Sequence, residues 1–559
     1  MLNAEELETP HKNPSEGVKS LLNGRFRVDF SAPLEFLNNG MNQAFRAIDE
    51  QNADADIFAI AASPYSLPRK ALITAMEMSP FKNQVDLRAR GPVRFGETDV
   101  REIFIFDMPG GGGVMTGGPV PERRIVDIIL PSIAEALTSL HATNMAHRGI
   151  RADNIFYEDA LHKRVLLGEA VTTAPGAAQP AVYEPLESAN AHPFGRGDGD
   201  PASDLYAVGV LILHLLTGEL PAKDLNTEEL YLRKLEMGSF GFLAAHLHLS
   251  QRTGDLLRGL LQDDPARRWD AEMLTHWRSA ATDVVAQGMG DRRTSQKIRF
   301  DGGEFVSPRL LSHALTKNPR EACNLLSSGK LQSWIRNALR DNEAGEEIAF
   351  LEQMAADNSR GLMRSETALV AQINSLLNVR GTYWYRELSF ARSGLGGLLA
   401  YAFYEDSTSM KGMLADLMES GLLLKAAIHE TGGSGKGKRT RGWIAHSRAS
   451  NCFDHMKQKK NPGFGLERCL YELNPSMSCL SPIVLDANVK NMKQFLDVIE
   501  IKLMKSGGKS NPFDRHCAAF IAVKSNGCGK FFNQIGNSSP ASIPYTIALI
   551  KLFSVLQRY

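Results

Sequence analysis

The sequence predicts an α+β chain in which a strand-rich segment is followed by a helical one and then by a mainly α-helical domain. Between Arg25 and Asp107 lie short apolar runs such as FRVDF, DIFAIAA and REIFIFDM, separated by turn-forming clusters of Asn, Gly and Pro. After PGGGGVMTGGPVP the apolar residues recur at the spacing of a helix. The length of 559 residues exceeds what one core usually serves, so we expect more than one domain.

The elements follow one another in an order that suggests domain boundaries. One helix is predicted in the strand-rich segment near SLPRKALITAMEM, and others at DLYAVGVLILHLLTG and GDLLRGLLQ. Polar QGMGDRRTSQK marks a boundary, and helical patterns dominate beyond it. We therefore predict a flexible N-terminus at 1–20, a first domain at 21–285, a linker at 286–304 and a mainly helical domain at 305–559.

The overall charge and the apolar pattern exclude several classes of protein. The 63 basic and 63 acidic side chains cancel, so a nucleic acid or an anionic membrane would have to meet a local patch. The polar, acidic N-terminus lacks the apolar region of a secretory signal. The sequence also has no run of eighteen or more apolar residues that could span a membrane. We expect a cytoplasmic protein.

All six cysteines lie in the second half of the chain, at irregular spacing. They form no CxxC pair, which argues against a zinc site. Reduced thiols packed as small hydrophobic groups are the preferred interpretation, and no metal site is predicted.

Several segments of the first 280 residues follow one another in a specific order: LPSIAEALTSLHATNMA leading into HRGIRADNI, then RVLLGEA, YEPLE, PASDLYAVGVLILHLLTGELP and DDPARRWDAEML. In this order they resemble the protein kinase superfamily. The resemblance implies a bilobed fold in which Glu187 pairs with Arg268 and Asp204 tethers the backbone of the catalytic loop. His147 and Arg148 also match residues that hold this fold.

Three positions that carry the family's chemistry lack their charged residue. Ala61 falls where a strand lysine would hold the phosphates, and Gly149 stands where a carboxylate would accept the substrate proton. Gly168 opens the aligned Gly-Glu-Ala triplet, where an aspartate would bind magnesium. The resemblance therefore implies a pseudokinase rather than an enzyme, with no cofactor and weak or absent binding of ATP and magnesium.

Three other residues form a vestigial nucleotide or metal site: Arg151, Asn154 and Glu169. The hairpin between Asn154 and Gly168 is one residue longer than usual in the family, so Glu169 is an alternative occupant of the metal-facing position. This register leaves open an atypical kinase-fold nucleotidyl- or phosphotransferase that uses Asn154 and Glu169.

Two glycine-rich stretches and one basic loop complete the sequence-based predictions. GGGG at 110–113 follows the strand at the hinge and predicts flexibility between the lobes, whereas GGSGKGKRTRGW lacks the hydroxyl residue and the preceding strand of a phosphate-binding loop. A solvated loop is the preferred interpretation of the basic segment at 436–460, and nucleic-acid binding through it is left open as a third alternative. The preferred function is regulatory or scaffolding, through a protein partner that the sequence does not identify.

Overall fold

The computed structural model describes residues 19–95, 99–115, 117–278, 293–356, 365–428, 446–505, 514–525, 528–536 and 543–556. The N-terminal prediction thus falls almost entirely outside the described residues. Within them, the chain forms a strand lobe, a helical lobe and a long helical region.

The strand lobe is a six-stranded antiparallel sheet in the order β1-β2-β3-β4-β6-β5, with one helix packed on it. Its elements are β1 (Lys19–Leu22), β2 (Phe26–Pro33), β3 (Gln43–Asp49), β4 (Ile57–Ala62), α1 (Lys70–Met78), β5 (Leu87–Phe95) and β6 (Asp99–Asp107). All six residues of β4 are buried, because hydrophobic clusters cover both faces of this central strand. Successive side chains of β4 therefore enter different clusters.

The helical lobe is built around one buried helix. Its elements are α2 (Glu122–Arg124), a π-helical turn (Ile125–Ile129), α3 (Leu130–His141), β7 (Ile155–Tyr157), β8 (Val165–Leu167), α4 (Pro201–Thr217), α5 (Thr227–Met237), α6 (Ser239–Leu243), α7 (Gln251–Leu260) and α8 (Ala271–Thr275). The buried helix α4 begins after Asp200, whose carboxylate accepts a hydrogen bond from the Ser203 amide at 3.0 Å. It ends at Gly218, whose φ of 73° is the left-handed conformation typical of a helix end.

The GGGG stretch between the lobes is held by hydrogen bonds, which differs from the predicted flexible hinge. The Gly110 and Gly111 amides donate to the backbone carbonyls of Glu158 and Tyr157. The Tyr157 amide donates to the backbone carbonyl of Gly112. A Cβ on Gly111 would lie 2.3 Å from the Asp159 carbonyl oxygen. Glycine is therefore needed here for close approach to the β7 hairpin, a tertiary contact that composition does not reveal.

The helical region contains two hydrophobic cores. Elements β9 (Ile298–Phe300), β10 (Gly303–Phe305), α9 (Pro308–Lys317), α10 (Pro319–Ser327), α11 (Lys330–Asn337), α12 (Asn342–Ala356) and α13 (Glu366–Leu377) surround the first core. The second lies among β11 (Tyr383–Tyr385), β12 (Leu388–Phe390), α14 (Leu395–Tyr404), α15 (Thr408–Glu419), α16 (Leu422–Ile428), α17 (His446–Lys457), α18 (Leu466–Leu473), α19 (Met492–Lys505), α20 (Arg515–Lys524), α21 (Gly529–Gly536) and α22 (Ile543–Leu556). Helix α13 contributes residues to both cores.

Part of the predicted linker is instead a packed hairpin. Strands β9 and β10 pair antiparallel, and Ile298 and Phe300 are buried in the first core of the helical region. The three residues IRF at 298–300 alternate between apolar and charged, but this run is too short to predict a strand among polar neighbours. Residues 286–292 of the predicted linker lie outside the described residues.

The described part of the chain offers no cluster of potential metal ligands. All six cysteines are free thiols, and five of them are buried. In the portions of the chain that the structure covers, none of the helices has the length and apolar character needed to cross a membrane.

Candidate functional site

The loop HRGIRADN lies beneath the strand lobe and is tethered by Asp204. The carboxylate of Asp204 accepts hydrogen bonds from the amides of His147, at 2.6 Å, and Arg148, at 2.9 Å. Burial alone would raise the pKa of Asp204, but the hydrogen bond with His141 and the neighbouring imidazoles hold it below its usual value. Burial also lowers the pKa of His147 to about 4, so its ring is neutral at pH 7.

Arg148 is the centre of a buried ion network. Its guanidinium donates to Glu184 at 2.8 Å, and the Glu184 carboxylate also lies 3.7 Å from Arg196. The three side chains are at most 3% exposed. Burial alone would raise the pKa of Glu184, but the two arginines hold it below its usual value. Sequence reasoning missed Glu184 and Arg196, because Glu184 stands three residues before the predicted Glu187 and carries no motif of its own.

The predicted pair of Glu187 and Arg268 is looser than the network around Arg148. Their closest atoms are 3.7 Å apart. Arg268 is anchored independently, because its guanidinium donates to the carbonyls of Gln262, at 2.8 Å, and Ala202, at 2.9 Å. Burial raises the pKa of Glu187, and the opposing charge of Arg268 does not reverse that shift.

Asn154 occupies the space that a side chain at position 168 would need. Its amide donates to the carbonyls of Gly149, at 2.9 Å, and Glu169, at 3.0 Å. A Cβ on Gly168 would lie 2.1 Å from Asn154 Oδ1, whereas a Cβ on Gly149 would make only ordinary contacts of 3.4 Å or more. Gly168 is thus required by packing, and the Asn154 amide group fastens two loops together.

Glu169 is buried where the turn of the strand lobe closes on the helical lobe. Its carboxylate accepts hydrogen bonds from the Asn39 side chain and from the amides of Val171 and Thr172. Asn42, in the same turn, donates to the Thr172 carbonyl at 2.8 Å. Burial raises the pKa of Glu169, although these hydrogen bonds oppose the shift. The Glu169 carboxylate, considered from the sequence as a metal ligand, therefore accepts hydrogen bonds from the protein's own donors.

Arg151 is buried and has a partner of its own. Its Nε lies 2.9 Å from the Asp153 carboxylate, which is 75% exposed. The Arg151 guanidinium, predicted as part of a nucleotide site, is thus paired with a carboxylate two residues away. This ion pair explains the buried arginine without a bound phosphate.

Ala61 lies on the face of β4 that turns away from the cleft. It packs with Phe45 and Ile105 on one side of the sheet, whereas Ile60 and Ala62 belong to the cluster that contains α1. The positions of this strand that face α1 are therefore Phe58, Ile60 and Ala62. The predicted register is shifted by one residue, and in a strand such a shift moves a side chain to the opposite face.

One buried cluster of apolar side chains spans the cleft between the lobes. Phe58 and Phe106 of the sheet stack with ring centroids 5.5 Å apart, and both belong to one buried cluster with Phe156 of β7. Leu37, from the turn that carries Asn39, and Val171, next to Glu169, complete this continuous packing. The cluster joins the strand lobe to the helical lobe.

Arg69 is a further cleft residue, and no sequence pattern indicates its role. It precedes α1 and donates to the carbonyls of Ala146 and His147 at 2.6 Å each. A third hydrogen bond reaches the Ala170 carbonyl at 3.2 Å. Arg69 thus fastens the start of α1 to both loops of the helical lobe.

The basic loop at 436–460 is described only from residue 446 onward. There, Lys457 lies 3.2 Å from Asp454, and Lys459 lies 2.7 Å from Glu419. The basic residues at 436–441 and Trp443, together with the near-match to a phosphate-binding loop, lie outside the described residues.

Comparison with known proteins identifies relatives of the first part of the chain. Residues 104–278 match the family model of the protein kinase domain. Developmentally-regulated protein kinase 1 of Dictyostelium discoideum is 29% identical over 155 residues, which cover 26% of this chain and 20% of that protein. Putative CBL-interacting protein kinase 13 of Oryza sativa subsp. japonica is 27% identical over 263 residues, covering 43% and 50% respectively. The chain thus spans no more than half the length of these relatives.

A solved structure of Rad53 1-466 in complex with AMP-PNP aligns with a TM-score of 0.35 and 19% sequence identity. The alignment covers 42% of this chain and 61% of that one. Together with the family match, the sheet and helix order confirms the predicted fold class, an α+β protein kinase-like fold followed by a helical region.

Proposed function

We propose that this protein kinase-like chain is a pseudokinase, a catalytically inactive module with a regulatory or scaffolding role. The observation that carries the proposal is the buried apolar cluster that spans the cleft. Aromatic side chains of the sheet share one buried cluster with Phe156 of β7, and the Asn39 side chain in the turn donates to Glu169. A nucleotide would have to displace both the apolar packing and the hydrogen bonds.

The charge around the cleft supports the same proposal. A triphosphate with magnesium needs cations for its phosphates and carboxylates for its metal. Here Arg151 is paired with Asp153, and Glu169 accepts hydrogen bonds from the chain. Arg69 is directed toward backbone carbonyls.

The proposal is tested by titrating the full chain with ATP and magnesium while following thermal unfolding. A ligand present at 100 times its dissociation constant stabilises a protein by about 2.7 kcal/mol. We expect no shift of the unfolding midpoint at millimolar ATP. Micromolar affinity by calorimetry would contradict the proposal and favour an atypical transferase that uses Asn154 and Glu169.

The proposed role for a protein partner has a separate test in cells that lack the protein. Glu169→Gln keeps the shape of the side chain but removes its charge. A scaffold carrying this substitution should restore the function fully, whereas an enzyme that uses Glu169 for a metal should not. Tyr401→Ala, in the helical region, is the matched variant, and we expect it to impair the scaffold.

A further inference from the structure

We infer that the helical region is a brace that holds the two lobes closed on each other, with α14 as the element that touches both. The inference concerns packing alone and does not depend on whether the cleft is catalytic. The brace would make the kinase-like part and the helical region one cooperative unit, and opening of the cleft would require its release.

The first contact of the brace is with the loop at 192–198 in the helical lobe. The His192 amide donates to the Ser389 carbonyl at 3.1 Å, and the Ala391 amide donates to the Gly195 carbonyl at 2.7 Å. The Asp198 amide donates to the hydroxyl of Ser393 at 3.0 Å. A segment of the helical region is therefore joined through its backbone to this loop.

Glycines allow the two segments to approach this closely. A Cβ on Gly394 would lie 1.9 Å from the Gly195 carbonyl oxygen, and one on Gly197 would lie 2.0 Å from the Arg392 carbonyl oxygen. A Cβ on Gly397 would lie 2.1 Å from the Phe194 carbonyl oxygen. Three glycines from two distant parts of the chain thus meet backbone, which does not yield as a flexible side chain would.

The second contact of the brace is with the loop between β4 and α1 in the strand lobe. The hydroxyl of Ser478 donates to the Pro64 carbonyl at 3.0 Å, and the rings of Tyr65 and Tyr404 meet edge to face at 5.3 Å. Leu67 packs on the second core of the helical region. Farther along the sheet, Lys490 forms an ion pair with Glu102 of β6.

Helix α14 connects these two contacts. Tyr401 stacks on Phe194 with ring centroids 4.6 Å apart, and Tyr404, one turn later, meets the strand lobe. The position for a Cβ on Gly397 is 3.8 Å from the Leu67 side chain as well as against Phe194. The helix is therefore wedged between the lobes, so a shift at either contact moves the other.

A cut chain tests whether the brace joins the two parts. A specific protease site is inserted in the full chain between residues 279 and 292, and the native protein is cleaved. We expect the two fragments to co-elute in size exclusion and to unfold in one transition. Fragments that separate under native conditions, or that unfold in two independent transitions, would overturn the inference.

Addition of one methyl group, at Gly394, tests the role of α14. In Gly394→Ala, hydrogen exchange should become at least about tenfold faster at 192–198, at 64–68 and at the cleft amides 169–172. The matched control is Gly412→Ala, because nothing lies within 4 Å of a Cβ there. If Gly394→Ala does not fold, Tyr401→Leu takes its place, since it removes the ring contacts with Phe194, His192 and Tyr404 and keeps an apolar side chain. Unchanged exchange at 64–68 would mean that α14 does not couple the lobes, and would overturn the inference.

Discussion

The cleft and the ion network around Arg148 are both buried, yet they are stabilised in different ways. In the network, every carboxylate and guanidinium is held against an opposite charge, as with Glu184 between Arg148 and Arg196. In the cleft, Glu169 is held by uncharged donors, the Asn39 side chain and the amides of Val171 and Thr172. Burial consequently raises the pKa of Glu169, whereas the arginines lower that of Glu184. A buried negative charge is thus favoured where opposite charges face it, at Glu184, and disfavoured where uncharged donors hold it, at Glu169.

The largest effect should come from removing the central carboxylate of the network. Glu184→Ala leaves Arg148 and Arg196 buried without their opposing charge, which should cost about 4 kcal/mol of unfolding free energy. Chemical denaturation at pH 7 measures this loss. The exposed ion pair of Glu219 and Lys223 is the control, since Glu219→Ala should leave the midpoint unchanged. A small loss in Glu184→Ala would mean that the arginines find water or other acceptors.

The looser pair of Glu187 and Arg268, which is separate from the network, should respond unequally to its two substitutions. Arg268→Ala removes two hydrogen bonds to backbone carbonyls and a contact with the Tyr206 ring, and should cost about 3 kcal/mol. Glu187→Ala should cost less, about 1 kcal/mol, because its carboxylate is 3.7 Å from Arg268 and Arg268 keeps its carbonyl partners. Equal losses would indicate a close ion pair in solution.

The third comparison lies within the cleft, between two glycines at catalytic positions of the family. Gly168→Ala places a methyl group against Asn154 and should cost about 2 kcal/mol, the usual range for overpacking. Gly149→Ala meets only ordinary contacts and should change the unfolding free energy by less than about 0.5 kcal/mol. Denaturation of both variants under the same conditions decides this. Comparable losses would show that the loop at Gly149 is more tightly packed than its distances indicate.

The fold was predictable because its signals are local. Asp200, Pro201 and Ser203 predict the start of the buried helix α4, and Gly218 predicts its end. The order of the segments around HRGIRADN placed Asp204 correctly near the loop that it tethers. Such features need only a few neighbouring residues to be recognised.

The details of the cleft and of the brace were not predictable, because they depend on distant partners. A shift of one residue in β4 decides whether Ala61 or Ile60 faces α1, and the sequence is apolar at both positions. The requirement for glycine at 394 comes from Gly195, almost two hundred residues earlier. Asn39 and Arg69 have no local pattern that would reveal their contacts across the cleft.

The smallest expected effect is the change in unfolding free energy caused by Glu169→Gln in the cleft. The same substitution at Glu184, in the ion network, should change the unfolding free energy in the opposite direction. Glu169→Gln should leave the unfolding free energy at pH 7 unchanged or raise it by up to about 1 kcal/mol, because the amide avoids the burial of a charge. Glu184→Gln, the same chemical change in the network, should destabilise the protein because Arg148 and Arg196 lose their counter-charge.

The raised pKa of Glu169 means that the folded state binds the proton more tightly than the unfolded state. Stability of the unsubstituted protein should therefore fall as pH rises from the unfolded pKa toward the folded one. The advantage of Glu169→Gln should accordingly shrink as pH is lowered toward about 4.5. Unfolding curves of both variants between pH 4.5 and 7 measure the difference, and a marked loss in Glu169→Gln at pH 7 would show that the cleft depends on this charge after all.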